Sequence, residues 1–301
     1  MIHMDLSILA NETFGWIFVW TVIIGGYISF LWLQKHLTKK TELKRPFFLK
    51  PNKECFLNIL LSVYIWLMMS FLTILIFLGV VLKRIVFRND KLAIHAHKVG
   101  FWWANLMIRL NPLWSVDIQG LENIPGEKTR IFVSNHASMA DILISYEIKK
   151  QFKWIAKKSL FKIPFLGGTM RFTKHISLRR NDLGSIREIN RKMKDFLDQG
   201  MSLFIFPEGT RSRTGNIQPF KNGAFKLAIE KKISIVPIAI LGSFFAFPTD
   251  TWIFNRKVQM TVKVFPEIDA SKFEMRDHVK LKDMVYELIS KALEVHNQPR
   301  G

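Results

Sequence analysis

The chain is organised around Ile131-Phe132-Val133-Ser134-Asn135-His136-Ala137-Ser138-Met139-Ala140-Asp141, where an apolar run ends and a helical pattern begins. The β-branched and aromatic residues at its start predict a buried strand. Ser138 and Asp141 have the spacing of a capping box, which predicts a helix over residues 138–150. A strand therefore delivers His136 to a turn just before a helix.

The spacing of His136 and Asp141 restricts how they can meet. Five residues along a regular helix rotate a side chain by about 500°, which leaves two groups about 140° apart. The pair can touch only because a turn precedes the helix. His278 and Asp283 have the same spacing inside one amphipathic pattern and should point apart. We interpret His136 and Asp141 as a candidate catalytic pair, with a capping aspartate beside a loop histidine as the alternative.

The composition is typical of a protein that contacts a membrane. The chain has 301 residues and a formal net charge of +20. Because 49% of its residues are hydrophobic, a disordered protein is excluded. A single cysteine, Cys55, excludes an internal disulfide and is interpreted as structural. The basic residues cluster between and beside the hydrophobic runs, so we expect anionic membrane lipids as partners and no nucleic acid.

Two apolar runs predict an N-terminal membrane-embedded helical region. Residues 14–33 carry no charge and are long enough to span a bilayer, and their flanks do not resemble a cleaved signal peptide. Residues 56–82 form a second uncharged run. The basic loop at 35–53 and the basic cluster at 83–88 both favour the cytoplasm. We predict that the second run dips in and returns, or lies within one leaflet, with a conventional span as the alternative.

Residues 91–116 have apolar side chains at helical spacing and include three tryptophans, Trp102, Trp103 and Trp114. This pattern predicts an amphipathic helix at the bilayer interface, and a core helix of the following domain is the alternative. His95 and His97 lie on opposite faces of such a helix, so we do not interpret them as metal ligands.

From residue 117 onward, short β-rich runs alternate with helical patterns, which predicts an α/β fold with a twisted, largely parallel sheet covered by helices. The predicted strands are 130–134, 154–156, 175–178, 202–206, 233–241 and 258–265, and the predicted helices are 138–150, 183–198, 222–231 and 277–295. We divide the chain into a membrane anchor with a basic loop (1–54), a second hydrophobic segment with the amphipathic helix (55–116) and an α/β domain (117–301).

A second motif, Pro207-Glu208-Gly209-Thr210-Arg211, follows the predicted strand at 202–206. Open α/β sheets bind ligands at the carboxyl ends of their strands. Gly209 lets the backbone approach an anion, Thr210 offers a hydroxyl, and Arg211 offers a planar fork that fits phosphate. These residues predict a phosphate-binding loop in which Glu208 holds an arginine in place. A charged surface turn is the alternative.

Further basic residues follow two other predicted strands. Lys157 and Lys158 end one of them, and Arg179 and Arg180 end the next. If these strands are parallel to those that end at His136 and Pro207, the four termini lie at one edge of the sheet. The sequence then predicts several cations around the histidine. A solvated surface lysine is the alternative for Lys158.

Four segments resemble, in order and spacing, the motifs of the glycerolipid acyltransferases, most closely the PlsC-type 1-acylglycerol-3-phosphate acyltransferases. They are Asn135-His136 with Asp141, Ile176-Ser177-Leu178-Arg179-Arg180, Phe206-Pro207-Glu208-Gly209-Thr210-Arg211 and Val236-Pro237-Ile238-Ala239-Ile240. The resemblance covers residues 91–262. It implies transfer of a fatty acyl chain from an acyl thioester, either acyl-coenzyme A or acyl-carrier protein, to the hydroxyl of lysophosphatidic acid. The product would be phosphatidic acid for phospholipid biosynthesis.

The resemblance also implies residue roles. His136 would act as general base and Asp141 would fix its tautomer. The substrate phosphate would be bound by Glu208, Gly209, Thr210, Arg211, Arg179, Arg180 and Lys157. Neither a metal nor a cofactor other than the acyl donor is implied, and intracellular donors place the active site on the cytoplasmic face of a membrane. An acyltransferase for another lysophospholipid, a lipid ester hydrolase and a non-enzymatic lipid-binding or nucleic-acid-tethering protein remain as alternatives.

Overall fold

The computed structural model of the chain describes residues 53–179, 183–248 and 251–297. The predicted anchor at 14–33, the basic loop that follows it as far as residue 52, and Arg180 lie outside these ranges. Within them the helices are α1 (Lys53–Val86), α2 (Ile94–Arg109), α3 (Ala140–Tyr146), α4 (Leu166–Phe172), α5 (Leu183–Asp198), α6 (Gly223–Lys231) and α7 (His278–Asn297). The strands are β1 (Trp114–Gln119), β2 (Ile131–Ser134), β3 (Phe152–Lys157), β4 (Ile176–Leu178), β5 (Ser202–Ile205), β6 (Ile235–Leu241) and β7 (Val258–Val264).

The strands form one seven-stranded sheet in the order β1-β7-β6-β2-β5-β3-β4. All neighbouring strands are parallel except β6 and β7, which are antiparallel. This confirms the predicted α/β fold with a largely parallel sheet covered by helices. Because β2 lies between β5 and β6, the turn that follows it opens at the middle of the sheet edge, where ligands of open α/β sheets bind.

The central strands are apolar on both faces because helices cover both faces. In β6, Val236, Ile238 and Ile240 face a core shared with α1, α2 and α3, while Ile235 and Ala239 face a core shared with α5, α6 and α7. The two-residue alternation of a strand thus fixes which side chain enters which core. β2 follows the same rule, with Phe132 on one side and its neighbours on the other.

The second apolar run forms one uninterrupted helix, α1, of 34 residues. The prediction that this run dips into the membrane and returns is therefore wrong, since the helix contains no break at which it could reverse. Along one face, Ile65, Met68 and Leu72 enter the protein core. The other face is an exposed apolar stripe formed by Phe56, Leu60, Val63, Leu67, Phe71, Leu75, Leu78 and Leu82.

The pattern at 91–116 resolves into α2 and then β1. α2 buries Ala96, His97 and Ala104 between α1 and α3, which matches the core-helix alternative. Trp102 is 71% exposed on the outer side. Trp114 instead lies in β1, where it is 7% exposed and donates to the Ala246 carbonyl. The helical pattern therefore ends earlier than predicted, and β1 and α4 are elements that the sequence reading missed.

Candidate active site

His136 is held where β2 ends by a side chain that extends the sheet. Asn135 is buried, its Nδ2 donates to the Ile240 carbonyl at 2.8 Å, and its Oδ1 accepts from the Ile240 N–H at 2.8 Å. Both bonds reach β6, so the amide fixes the end of β2 after the backbone ladder has stopped. The sequence reading gave Asn135 no role of its own.

The expected contact between His136 and Asp141 is present, with 2.7 Å between Nδ1 and Oδ2. Asp141 is fully buried, whereas the His136 side chain is 13% exposed. The same Oδ2 accepts from the backbone N–H groups of Ala137 and Ser138 at 2.7 and 2.8 Å. Because a carboxylate oxygen surrounded by donors accepts from Nδ1, we assign the hydrogen to Nδ1. Nε2 is then an unprotonated base.

The predicted capping box is only partly formed. α3 begins at Ala140, and the Asp141 carboxylate bonds back to the Ser138 backbone N–H as a capping box requires. A full capping box would also have the Ser138 Oγ accept from the Asp141 N–H, but it accepts from the Ala140 N–H at 3.3 Å instead. The helix also ends at Tyr146, before the predicted end at residue 150.

The control pair behaves as the helix geometry requires. His278 is the first residue of α7, and its Nδ1 donates to the Met275 carbonyl at 2.8 Å. Asp283 pairs with Lys282 at 3.1 Å instead. Identical spacing thus gives contact across a turn and separation along a helix.

An aromatic ring fixes the plane of the imidazole. The Phe206 ring is stacked on His136, with centroids 4.2 Å apart and 18° between the planes. Phe206 directly follows β5, the parallel neighbour of β2, and its ring also contacts Phe204 at 5.2 Å. With one ring face against Phe206 and Nδ1 against Asp141, the imidazole is held by two contacts. Nothing in the sequence pattern indicated this stacking.

Glu208 links the two loops of the site. It is buried, its Oε1 accepts from the His136 N–H at 2.6 Å, and its Oε2 accepts from the Gln218 N–H at 3.1 Å. The carboxylate thus holds backbone, in place of the arginine that we expected it to hold. Burial raises the pKa of Glu208 to about 7, and the nearby Asp141 also raises it, while the two backbone N–H groups act in the opposite direction.

The phosphate-binding loop predicted at 207–211 is a turn with a second tie to the histidine. Gly209 has a φ of +70°, which favours glycine, and its N–H donates to the Phe206 carbonyl at 3.0 Å. The Ser212 N–H donates to the His136 carbonyl at 2.8 Å. Thr210 and Arg211 are exposed on this turn. Both polar backbone groups of His136 are therefore held by residues 208 and 212 of this loop.

The predicted cations lie along the same edge of the sheet but at increasing distance from His136. Lys157 ends β3 and is exposed, and it is paired with Leu178 of β4. Arg179 follows β4, is exposed, and its N–H donates to Ser185 Oγ at 3.1 Å. Adjacent strands are about 4.8 Å apart, so the end of β3 lies about 10 Å and that of β4 about 14 Å from the end of β2. The structure therefore brings the Arg211 loop closest to His136.

The arrangement of the site suits one kind of chemistry. A histidine base with a buried aspartate, at the carboxyl edge of a mostly parallel sheet and beside an arginine-bearing loop, is suited to proton abstraction from a substrate with an anionic group. A family model described as Acyltransferase matches residues 115–241.

Relatives with known names agree with that match. The chain is 31% identical over 248 residues to the 1-acyl-sn-glycerol-3-phosphate acyltransferase of Cocos nucifera, covering 81% of this chain and 75% of that protein. It is 30% identical over 198 residues to the enzyme of the same name from Borreliella burgdorferi, covering 65% of this chain and 76% of that one. The chain belongs to the acyltransferase family that contains these 1-acyl-sn-glycerol-3-phosphate acyltransferases.

Two further comparisons concern extent and fold. The chain is 34% identical over 180 residues to a chloroplastic 1-acyl-sn-glycerol-3-phosphate acyltransferase of Arabidopsis thaliana, covering 60% of this chain and 50% of that protein. It thus spans about half the length of this relative, of a chloroplastic one from Brassica napus and of one from Chlamydomonas reinhardtii. The crystal structure of the 1-acyl-sn-glycerophosphate (LPA) acyltransferase PlsC from Thermotoga maritima superposes with a TM-score of 0.71 at 23% identity, covering 82% of this chain and 99% of that one. This likeness shows that the two share a fold.

Proposed function

We propose that this chain transfers a fatty acyl group from an acyl thioester to the free hydroxyl of lysophosphatidic acid, giving phosphatidic acid. The observation that carries the proposal is the 2.7 Å contact between His136 Nδ1 and Asp141 Oδ2, which leaves Nε2 as a base beside the Arg211 loop. The names of the relatives support the substrate class.

The proposed reaction needs no covalent acyl-enzyme. His136 Nε2 takes the proton from the acceptor hydroxyl, and that oxygen attacks the thioester carbonyl. When the tetrahedral intermediate collapses, the carbon–sulfur bond breaks and the imidazolium returns the proton to the leaving thiolate. Asp141 stabilises the imidazolium between these two transfers. Ser138 is an unsuitable nucleophile, because it is buried and its Oγ accepts from the Ala140 N–H.

In this proposal the substrate phosphate lies on the exposed side of the 208–211 turn. Arg211 supplies a planar fork for two phosphate oxygens and Thr210 supplies a hydroxyl. Lys157 and Arg179 are farther along the sheet edge, so they fit the outer part of the substrates or the carrier of the acyl donor. Acyl-coenzyme A and acyl-carrier protein are both suitable donors by this chemistry.

The test measures acyl transfer by the purified chain in detergent micelles, with lysophosphatidate as acceptor and each thioester in turn as donor. Phosphatidate formed at a rate dependent on both substrates is the expected result. Free fatty acid without phosphatidate would indicate the hydrolase instead. Lysophosphatidylethanolamine and lysophosphatidylglycerol as alternative acceptors identify any other acceptor preference.

Arg211→Lys keeps the charge and removes the fork. We expect it to raise the KM for lysophosphatidate by about 10-fold, the loss of roughly one charge-assisted hydrogen bond, with the donor KM unchanged. Arg276→Lys is the matched control, since Arg276 is 80% exposed and pairs with Glu274 outside the site. An Arg211→Lys effect confined to the donor KM would assign Arg211 to the carrier instead.

We also propose that the protein associates with one face of a bilayer through α1. Along α1, contacts with the rest of the protein run from Ser62, which accepts from the Phe254 N–H, to Arg84, which donates to the Asp90 carbonyl. A helix crossing the membrane over this length would carry the α/β domain into the hydrocarbon. Its exposed apolar stripe is consistent with a helix lying half-submerged in one leaflet, although its length and composition alone would also suit a span.

Cysteine labelling in intact cells tests this orientation. After replacement of Cys55, single cysteines are placed at Asn11, Thr41, Asn89 and Asn297. An impermeant reagent should label only position 11 from outside, because the active site is proposed to face the cytoplasm. Labelling at 89 and 297 but not at 41 would establish a crossing by α1 and an outward-facing site.

A further inference from the structure

The side chain of Lys221 lies directly against Gly209. A β-carbon placed on Gly209 would be 2.7 Å from Lys221 Nζ, 3.2 Å from Cε and 3.6 Å from Cδ. The end of the lysine thus occupies the space that any other side chain at 209 would need. Glycine is favoured here by the positive φ of +70°, and the flexible end of Lys221 would have to shift to admit a larger residue.

The backbone at Lys221 is held in place by contacts of Lys221 and of its neighbour Phe220. Its backbone N–H donates to the Pro207 carbonyl at 3.0 Å. The preceding Phe220 is buried, and its ring contacts Tyr286 at 5.2 Å between centroids and Phe225 at 6.3 Å. The backbone is therefore held at the base of the lysine, and the ammonium lies against Gly209.

The ammonium of Lys221 has no counterion within the part of the chain that the structure describes. No ion pair or side-chain hydrogen bond is found there for its ammonium. The adjacent carboxylate of Glu208 is directed inward and accepts from the backbone of His136 and Gln218. An ammonium held at a turn without an internal counterion is available to an anion from outside.

We propose that Lys221 is a specificity-determining residue that binds the acceptor phosphate together with Arg211. This inference rests on the proposed function and names a residue that the motif reading did not include among the phosphate ligands. A phosphate monoester carries a charge of about −1.5 to −2 at pH 7, whereas a phosphodiester carries about −1. Arg211 matches one charge and Lys221 matches the second. The pair therefore favours lysophosphatidate over lysophospholipids with a diester headgroup.

The test compares Lys221→Met, which keeps most of the aliphatic stem, with Lys221→Arg, which keeps the charge. Lys226→Met is the matched control, because Lys226 is an exposed lysine one turn into α6. Lys221→Met should raise the KM for lysophosphatidate by about 10- to 100-fold, with kcat within about threefold, as expected for one lost charge-assisted contact. Lys221→Arg should recover most of the affinity, and Lys226→Met should match the parent.

Two further measurements distinguish the phosphate of the acceptor from the nucleotide phosphates of acyl-coenzyme A. The inhibition constant of lysophosphatidylglycerol, a diester, should change by less than about threefold in Lys221→Met, because it carries only the charge that Arg211 matches. The KM for acyl-coenzyme A and that for acyl-pantetheine, which lacks the nucleotide phosphates, should both be unchanged. A rise only for acyl-coenzyme A would overturn the proposal in favour of a donor phosphate. A lysophosphatidate KM within twofold of the parent would also overturn it.

Direct binding of lysophosphatidate to the folded protein separates this inference from the proposed function. If the parent chain binds lysophosphatidate but transfers no acyl group, the proposed function fails, and a weaker Kd in Lys221→Met still supports the phosphate contact. If the parent transfers and Lys221→Met binds equally well, the proposed function stands and the Lys221 inference fails. Thermal unfolding within about 2 °C of the parent shows that neither result comes from misfolding, because an exposed substitution of this kind changes stability little.

Discussion

The pairs His136/Asp141 and His278/Asp283 have the same residue types and the same spacing, yet they form different structures. Nδ1 and Oδ2 of the first pair are 2.7 Å apart across a turn, and the carboxylate is fully buried. In the second pair His278 bonds to the Met275 carbonyl and Asp283 pairs with Lys282. The spacing therefore carries no chemistry by itself. A strand end followed by a turn converts it into a base with an oriented imidazole.

Replacing each histidine gives the largest expected difference between the pairs. His136→Ala should lower kcat by at least about 10²- to 10⁴-fold, because it removes the general base of the proposed reaction. His278→Ala should change kcat by less than about twofold, since His278 lies at the start of α7. The measurement is steady-state acyl transfer by the two folded variants. Near-parental turnover in folded His136→Ala would contradict the proposed mechanism.

Replacing each aspartate tests the buried partner. Asp141→Asn loses a carboxylate oxygen that accepts from three N–H groups, so both the imidazole orientation and the stabilisation of its cation weaken. We expect kcat to fall by about 10²-fold or more with a smaller change in KM. Asp283→Asn is the control and should be silent in the same assay. An equally small effect of both substitutions would mean that Asp141 accepts hydrogen bonds from the backbone and takes no part in catalysis.

The sequence was sufficient to predict the contact between His136 and Asp141, because it depends on local structure, a strand, a turn and a helix start. The turn that carries Arg211 was predictable for the same reason. The contacts that hold the histidine were not predictable, because they join segments about 70 residues apart. The Phe206 stacking and the two bonds of Glu208 depend on β2 and β5 being neighbours, and no local pattern of residues encodes that adjacency.

The fold, too, was predictable where it depends on local patterns and not where it depends on long-range contacts. Alternation of β-rich runs and helical patterns predicted the largely parallel sheet, whose strands agree with the structure to within a few residues. β1 was missed because its Trp114 was interpreted as an interfacial residue, although it is buried beside α1 and β7. The reversal predicted for α1 failed because a protein core and lipid select the same apolar side chains. Its two apolar faces could not be told apart by composition.

The His136 N–H also donates to a buried carboxylate, that of Glu208. In the native state Glu208 keeps its proton up to a pH of about 7, and above that pH its ionised carboxylate is buried at an energetic cost. In the unfolded chain Glu208 loses its proton near pH 4.5. The unfolded state therefore binds fewer protons between these values, and this group makes the protein less stable as pH rises through that window.

Glu208→Gln removes this titration. Between pH 5 and pH 8 the unfolding free energy of the parent should fall relative to that of Glu208→Gln by about 2 kcal/mol, measured by chemical denaturation in detergent. The variant should also lose about 10-fold in kcat, because the glutamine amide has one acceptor oxygen for two backbone N–H groups. A difference in stability that is independent of pH would contradict the assignment of the titration to Glu208.

A third histidine, His97, lies among aromatic rings. His97 is fully buried, and its ring contacts Phe152 at 5.0 Å, Tyr146 at 5.1 Å and His175 at 5.7 Å between centroids. Burial lowers the pKa of His97 well below 6.5, and nearby Lys153 and His175 lower it further, while Gln151 raises it. Where Asp141 accepts from Nδ1 of His136, the surroundings of His97 favour its neutral ring, which therefore serves packing.

The smallest expected effect comes from His97→Phe. The pKa of His97 is depressed in the folded state, so below pH 6.5 the unfolded chain binds a proton at His97 and the native state does not. The parent therefore loses stability as pH falls through 6.5. Phenylalanine fits the same aromatic surroundings and cannot titrate, so this loss should be smaller in the variant, by about 1 kcal/mol at pH 5.5. Unfolding free energies measured at pH 5.5 and 7.5 test this, with acyl transfer at pH 7.5 expected within twofold of the parent. Parallel pH dependences of the two proteins would show that His97 becomes charged in the native state and would contradict this assignment.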